Sequence, residues 1–223
     1  MAKTLFITGA SSGIGAATAR VAVDSGWNVA LFARSADKLR DLASELGERA
    51  LVTSGDATHI EDLQQAVAQA AGQFGSIDAA FANAGRGLST PGTEAGDLDD
   101  IRGMIDLNVL GVILTARAVL PELRKTRGTL VLTGSAAGRR HISGSIYGAT
   151  KWFVHGYAGN LAEEMREWGG RCSVVAPGMV DTPFFDEGAP DKLQPEDVAK
   201  AVLHMINAPE RAAIREIYLM PQT

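Results

Sequence analysis

The chain has 223 residues, 46% of them hydrophobic, with 25 glycines and a formal net charge of −5. That length suffices for one well-buried α/β domain. No Lys/Arg run stands out, so a nucleic-acid role has no electrostatic footing, and no apolar run of about eighteen residues is visible for a membrane span. Met1 to Thr8 runs too soon into Gly9 to be a signal peptide. The single cysteine, Cys172, excludes an internal disulfide, fits a reducing cytoplasm, and reads as a small apolar residue in a buried strand.

Short apolar runs alternate with longer amphipathic ones. Strands are expected at 5–7, 28–32, 50–53, 77–81, 129–133, 172–176 and 214–219, and helices at 13–25, 36–46, 60–74, 97–124, 146–168 and 195–207. Several strands show little polar alternation, as strands covered on both faces should. This repetition predicts an α/β fold: a Rossmann-type, doubly wound, seven-stranded parallel sheet flanked by helices. No linker or repeat divides the chain, so residues 1–223 form a single domain.

After the first strand comes Thr8-Gly9-Ala-Ser-Ser-Gly13-Ile-Gly15. A glycine-rich turn opening a helix lets backbone approach a pyrophosphate at the positive helix end. Gly9, Ser11, Ser12, Gly13, Ile14 and Gly15 are therefore candidate cofactor contacts. The second strand ends in Ala33-Arg34-Ser35, with no carboxylate before Asp37. An acidic residue there would suit the ribose 2′-hydroxyl of NAD, whereas an arginine can grip a 2′-phosphate. The reading is NADP(H), held by Arg34 with Ser11, Ser12 and Ser35; NAD(H) is the lesser alternative. Further on, Tyr147 and Lys151 lie four residues apart, on one face of a helix. An ammonium beside a phenol is expected to lower the phenol's pKa towards useful acid–base chemistry.

Together these motifs resemble the short-chain dehydrogenases/reductases, in their compact single-domain form, over roughly residues 4–220. Beyond the glycine motif, Asp56 matches the adenine-contacting aspartate, followed by Ala57. Phe81-Ala-Asn83-Ala84-Gly85 matches the N-N-A-G stretch, with Ala82 for its first asparagine. Asp106-Leu-Asn108-Val-Leu-Gly111 carries the helix asparagine. Ser135, in Thr133-Gly-Ser-Ala-Ala-Gly138, stands at the serine position. Tyr147 and Lys151 complete Y-x-x-x-K. Pro177-Gly178-Met-Val180-Asp-Thr182 matches the stretch bordering the nicotinamide.

The resemblance implies an oxidoreductase moving a hydride between nicotinamide and a carbonyl or secondary alcohol of a small substrate. Tyr147 is then the acid, Ser135 a hydrogen-bond donor to the same oxygen, Lys151 the tuner of Tyr147 and holder of the ribose, and Asn108 the keeper of a proton-relay water. It also implies a homodimer or homotetramer through the helices near 97–124 and 146–168, where Trp152, Phe153 and Tyr157 fit a buried face. Ser135 lies one residue closer to Tyr147 than is usual; Ser143 and Ser145 are the weaker substitutes.

Arg139, Arg140 and His141 follow the serine and could face a carboxylate-bearing substrate. The short segment after Thr182 suggests a modest or open pocket, and the chain's ending resembles members that oxidise serine or related 3-hydroxy acids. A broad ketone or aldehyde reductase is equally open. His59, His155 and His204 lack metal-ligand spacing and are given no role, and no metal is expected. A cofactor-binding sensor or scaffold without turnover would be expected to lack the Tyr or Lys. An isomerase or dehydratase would usually be longer.

Overall fold

The structure, a computed structural model, describes residues 2–184 and 188–222. Seven strands, β1 (Thr4–Thr8), β2 (Asn28–Ala33), β3 (Ala50–Ser54), β4 (Ala79–Ala82), β5 (Thr129–Thr133), β6 (Arg171–Pro177) and β7 (Glu216–Leu219), form one sheet in the order β3-β2-β1-β4-β5-β6-β7. Every neighbouring pair is parallel. The expected seven-stranded architecture is therefore present, with small shifts at the ends of β4 and β7.

The helices are α1 (Gly13–Asp24), α2 (Ala36–Leu46), α3 (Ile60–Phe74), α4 (Leu98–Ile105), α5 (Gly111–Thr126), α6 (Ile146–Arg166) and α7 (Pro195–Ile206). Successive strand residues point to opposite faces. Phe6, Ala30 and Leu130 accordingly pack under α3, α5 and α6, in a core with Leu63, Val119 and Leu161. Leu5, Ile7, Val29 and Leu31 face α1, α2 and α7, in a second core with Ala19, Leu39 and Val202. All of β1 and β4 is buried, which is why their sequences show no polar alternation.

The strand order reverses between β1, followed outward by β2 and β3, and β4, followed by β5 to β7. Such a switch opens a crevice at the carboxyl ends of the strands.

The expected continuous helix over 97–124 is a correction. α4 passes into a π-helical segment, Asp106–Leu110, before α5 begins. The joined helix Leu98–Thr126 also holds an 18-residue window of mean hydropathy 1.6, so by length and composition one helix could cross a membrane, contrary to the sequence expectation. Here Val112, Ala116, Val119 and Leu123 lie in the core beneath the sheet, which accounts for part of that hydropathy, 44% of the window being buried.

Candidate active site

The crevice is a cavity of about 830 Å³, within the range that takes a small molecule and much of a cofactor. At one end it is lined by Gly9, Ser11, Ser12, Gly13 and Ile14, with Arg34, Ser35, Asp56 and Ala57 along its flank. Asn83, Ala84 and Gly85 form its middle, and Ser135, Tyr147, Lys151, Pro177, Gly178, Val180 and Thr182 its other end. Of the candidate cofactor contacts and the Ser135, Tyr147, Lys151 and Asn108 set, all but Gly15 and Asn108 line it.

Gly9 turns through φ 68°, the left-handed region, and a Cβ there would stand 3.0 Å from Asn83 Nδ2 and from Ala84 Cα. Asn83 fastens this turn by donating to the carbonyls of Thr8 and Gly9, while the Thr8 hydroxyl accepts the Asn83 and Ala84 N–H groups. Gly15 acts one step back. A Cβ on it would lie 2.2 Å from the Gly9 carbonyl oxygen, so its part is to let the helix close against the turn. No carboxylate occupies the first turn of α1, and Ser12 caps it with backbone alone, leaving its positive end to the cavity. These features fit a dinucleotide phosphate.

Arg34, its side chain 77% exposed, lies 4.0 Å from the Asp56 carboxylate. Burial opposes ionisation of Asp56, but the N–H and hydroxyl of Thr58, with the charges of Arg34 and His59, outweigh it and hold the carboxyl below its usual range.

At the other end, Ser135 closes β5 and caps the 3-10 turn Ala136–Gly138, its hydroxyl accepting the Ala137 N–H at 3.1 Å. The same hydroxyl faces the Tyr147 phenol closely enough to favour its ionised form. The shortened spacing therefore still brings the pair together. Ser145 instead caps α6 by accepting the Gly148 N–H at 2.9 Å, and Ser143 is exposed.

Lys151 is 5% exposed; its Nζ donates to the Thr133 carbonyl at 2.8 Å and stands 5.6 Å from the Tyr147 ring centroid. The expected lowering of the Tyr147 pKa is not the net outcome. Burial pushes the phenol up to about 12, with the Ser135 hydroxyl opposing it. Burial also brings the Lys151 ammonium down to about 8. In a desolvated pair, each group resists its own charged form.

Asn108, in the π segment, is fully buried behind the cavity wall. Its Oδ1 accepts the Arg86 N–H at 2.9 Å, and its Nδ2 donates to the Arg86 carbonyl and to Thr150 Oγ1. It pins the stretch after Gly85 beside Lys151: a Cβ on Gly85 would be 3.2 Å from Asn108 Oδ1 and 3.7 Å from Lys151 Nζ.

The basic trio after Ser135 divides. Arg139 turns away and pairs with Glu216 at the start of β7. Arg140 lines the cavity. His141 stacks on Trp152 at 5.5 Å. Phe153 and Tyr157 stack on each other and pack against the core. Cys172 is a core residue of β6, its thiol pushed up to about 12 by burial.

Sequence reasoning missed Phe184, whose ring lies 5.5 Å from that of Tyr147, and the cavity wall made by Met179, Met220 and Pro221. No spacing signal links these to Tyr147. Phe185, Asp186 and Glu187, in the short segment after Thr182, lie outside the described residues.

The family profile described as short chain dehydrogenase matches residues 3–192. The chain belongs to the short chain dehydrogenase family. An uncharacterized oxidoreductase of Staphylococcus saprophyticus is 35% identical over 98% of this chain and 97% of its own length. Among solved structures, an alcohol dehydrogenase from the archaeon Thermococcus sibiricus complexed with 5-hydroxy-NADP superposes with a TM-score of 0.91 at 30% identity, covering 100% of this chain and 97% of that one. The closed form of a serine dehydrogenase complexed with NADP+ gives 0.90 at 27%, covering 98% and 94%. This chain is thus an oxidoreductase of that family, and those two neighbours carry NADP-type cofactors.

Proposed function

We propose that the protein is an NADP(H)-preferring oxidoreductase acting on a carbonyl or secondary alcohol of a small substrate, with 3-hydroxy acids among the candidates. The observation that carries this reading is that Ser135, Tyr147 and buried Lys151 line one cavity with the glycine turn and Arg34. The cofactor, when bound, supplies or accepts the hydride at the substrate carbon.

The side chains handle the oxygen. In reduction Tyr147, protonated throughout the neutral range, gives its proton to the forming alkoxide, and Ser135 donates a hydrogen bond to the same oxygen. Lys151, charged below about 8, stabilises the phenolate left behind and is placed to hold the ribose hydroxyls. Asn108 keeps the Arg86 backbone and Lys151 in register, which favours a water-linked path from Lys151 to solvent. Arg34, exposed at the flank, suits a 2′-phosphate.

Arg140, in the cavity with Tyr147, offers a fork for a substrate carboxylate; the likeness to a serine dehydrogenase points the same way. Exposed Leu98, Ile105, Leu110 and Trp152 on α4, the π segment and α6 support a homodimer or homotetramer. The buried lone cysteine suits a cytoplasmic setting.

The test follows nicotinamide absorbance with a panel of ketones, aldehydes and 3-hydroxy acids, using NADPH or NADH at matched concentrations. Net oxidation of NADPH by a carbonyl, or reduction of NADP+ by a hydroxy acid, is expected. A preference for NADH, or binding without turnover across the panel, would overturn it.

A further inference from the structure

Behind Ser135, outside the cavity lining, lies a polar cluster of three side chains from three separate elements. His155 sits on α6 one turn after Lys151, its side chain 7% exposed. Its Nε2 is 3.3 Å from the Ser135 carbonyl oxygen. Its Nδ1 faces Glu216 Oε1 of β7 at 3.5 Å without a hydrogen bond, and that carboxylate is gripped by both Nε and Nη2 of Arg139.

The backbone is built tightly around this ring. A Cβ on Gly134 would stand 2.8 Å from His155 Nε2, and one on Gly138 would stand 2.7 Å from His155 Cδ2. The two glycines bracket Ser135, so the catalytic turn lies directly on the imidazole with no room for side chains between. Since the carbonyl of Ser135 only accepts, Nε2 must carry the ring proton.

We propose that His155 is a positioning residue of the active site. It holds the Ser135 backbone by an Nε2–H donated to its carbonyl, while Arg139, at the end of the same turn, ties that turn to the sheet's last strand by pairing with Glu216. The inference rests on the oxidoreductase reading above. Ser135 has three anchors: the Ala137 N–H on its hydroxyl, and the Gly138 N–H at 2.9 Å and His155 at 3.3 Å on its carbonyl. His155 is the one anchor that comes from outside the turn, and its loss lets the turn shift as a unit and re-aim the hydroxyl that faces Tyr147. Misplacement of a catalytic group by about 1 Å costs on the order of 100-fold in rate. The titratable neighbours facing the ring are Glu216 from β7, Arg139 from the turn and Lys151 from its own helix. Burial, Arg139 and Lys151 hold it below the ordinary histidine range, against the pull of the Ser135 carbonyl.

The experiment compares His155→Leu, His155→Gln and Glu216→Gln with the wild type on any carbonyl that the wild type reduces. His155→Leu is expected to lose roughly 10-fold or more in kcat with NADPH affinity within about twofold. His155→Gln keeps an N–H donor and is expected to recover most of that loss; Glu216→Gln should fall between. A His155→Leu kcat within twofold of wild type overturns the proposal. So does an equal loss in His155→Gln, or a loss that follows cofactor affinity rather than kcat.

Absence of turnover in the wild type is instead a failure of the oxidoreductase reading. The anchor is then read without turnover, from ring-nitrogen shifts in protein labelled with ¹⁵N-histidine. A neutral ring protonated on Nε2 and titrating below about 6.5 supports it, and a ring titrating like an exposed histidine sinks it.

Discussion

The two ends of the cavity are built on opposite electrostatic plans. At the phosphate end, glycine turns, a bare helix terminus and a solvent-exposed Arg34 present charge and backbone dipoles to water. At the oxygen end, Lys151 is withdrawn from water and held by the neutral Thr133 carbonyl, and half-buried Tyr147 faces the neutral Ser135 hydroxyl. The first plan recognises charge at modest, salt-screened strength. The second sets protonation states by desolvation, so its behaviour is governed by pH and by packing.

Substitutions can break this contrast. Tyr147→Phe should be the most severe, lowering kcat by roughly 10³-fold or more, while NADPH affinity, read by fluorescence titration, changes less than about twofold. Retained turnover would remove Tyr147 as the acid.

The pH profile is the next largest effect. The Lys151 pKa is lowered, to about 8, so its charge is present below that value and lost above it. Reductive kcat/KM should therefore fall as pH rises through about 8, up to about tenfold per unit. Lys151→Met should flatten that limb. A wild-type profile that stays level up to pH about 10 would show that desolvation does not rule this end.

The smallest change belongs to the exposed end. Arg34→Ala should reduce the NADPH-over-NADH ratio of kcat/KM by about tenfold, and raising salt should erode the wild-type ratio in the same direction. A salt-independent ratio would mean that the phosphate is recognised elsewhere.

The phosphate end was largely legible in the sequence because it is local. Gly9 to Gly15 and Arg34 are contiguous with the strands that carry them, and a glycine pattern after a strand states its own geometry. The oxygen end was legible as residue types but not as physics. Spacing put Tyr147 and Lys151 on one face, yet it carried no measure of burial, and burial reversed the expected direction of the Tyr147 shift. Contacts between distant positions were invisible for the same reason. Arg139 meets Glu216 across 77 positions, which separates it from its neighbour Arg140. The π segment was missed because a helical apolar pattern continues through Asn108, and only the tertiary bonds of that side chain to Arg86 and Thr150 mark the widened turn.

β7 is the last of the seven strands to leave the ribosome. It hydrogen-bonds alongside β6, its Leu219 carbonyl accepts the Gly178 N–H at 2.7 Å, and its first residue grips Arg139 beside the catalytic turn. A nascent chain that has already made Ser135, Tyr147 and Lys151 still lacks this final strand along the sheet's open edge. Competence therefore arrives late: the polypeptide carries its reactive groups through the last part of synthesis before the strand that steadies them is made.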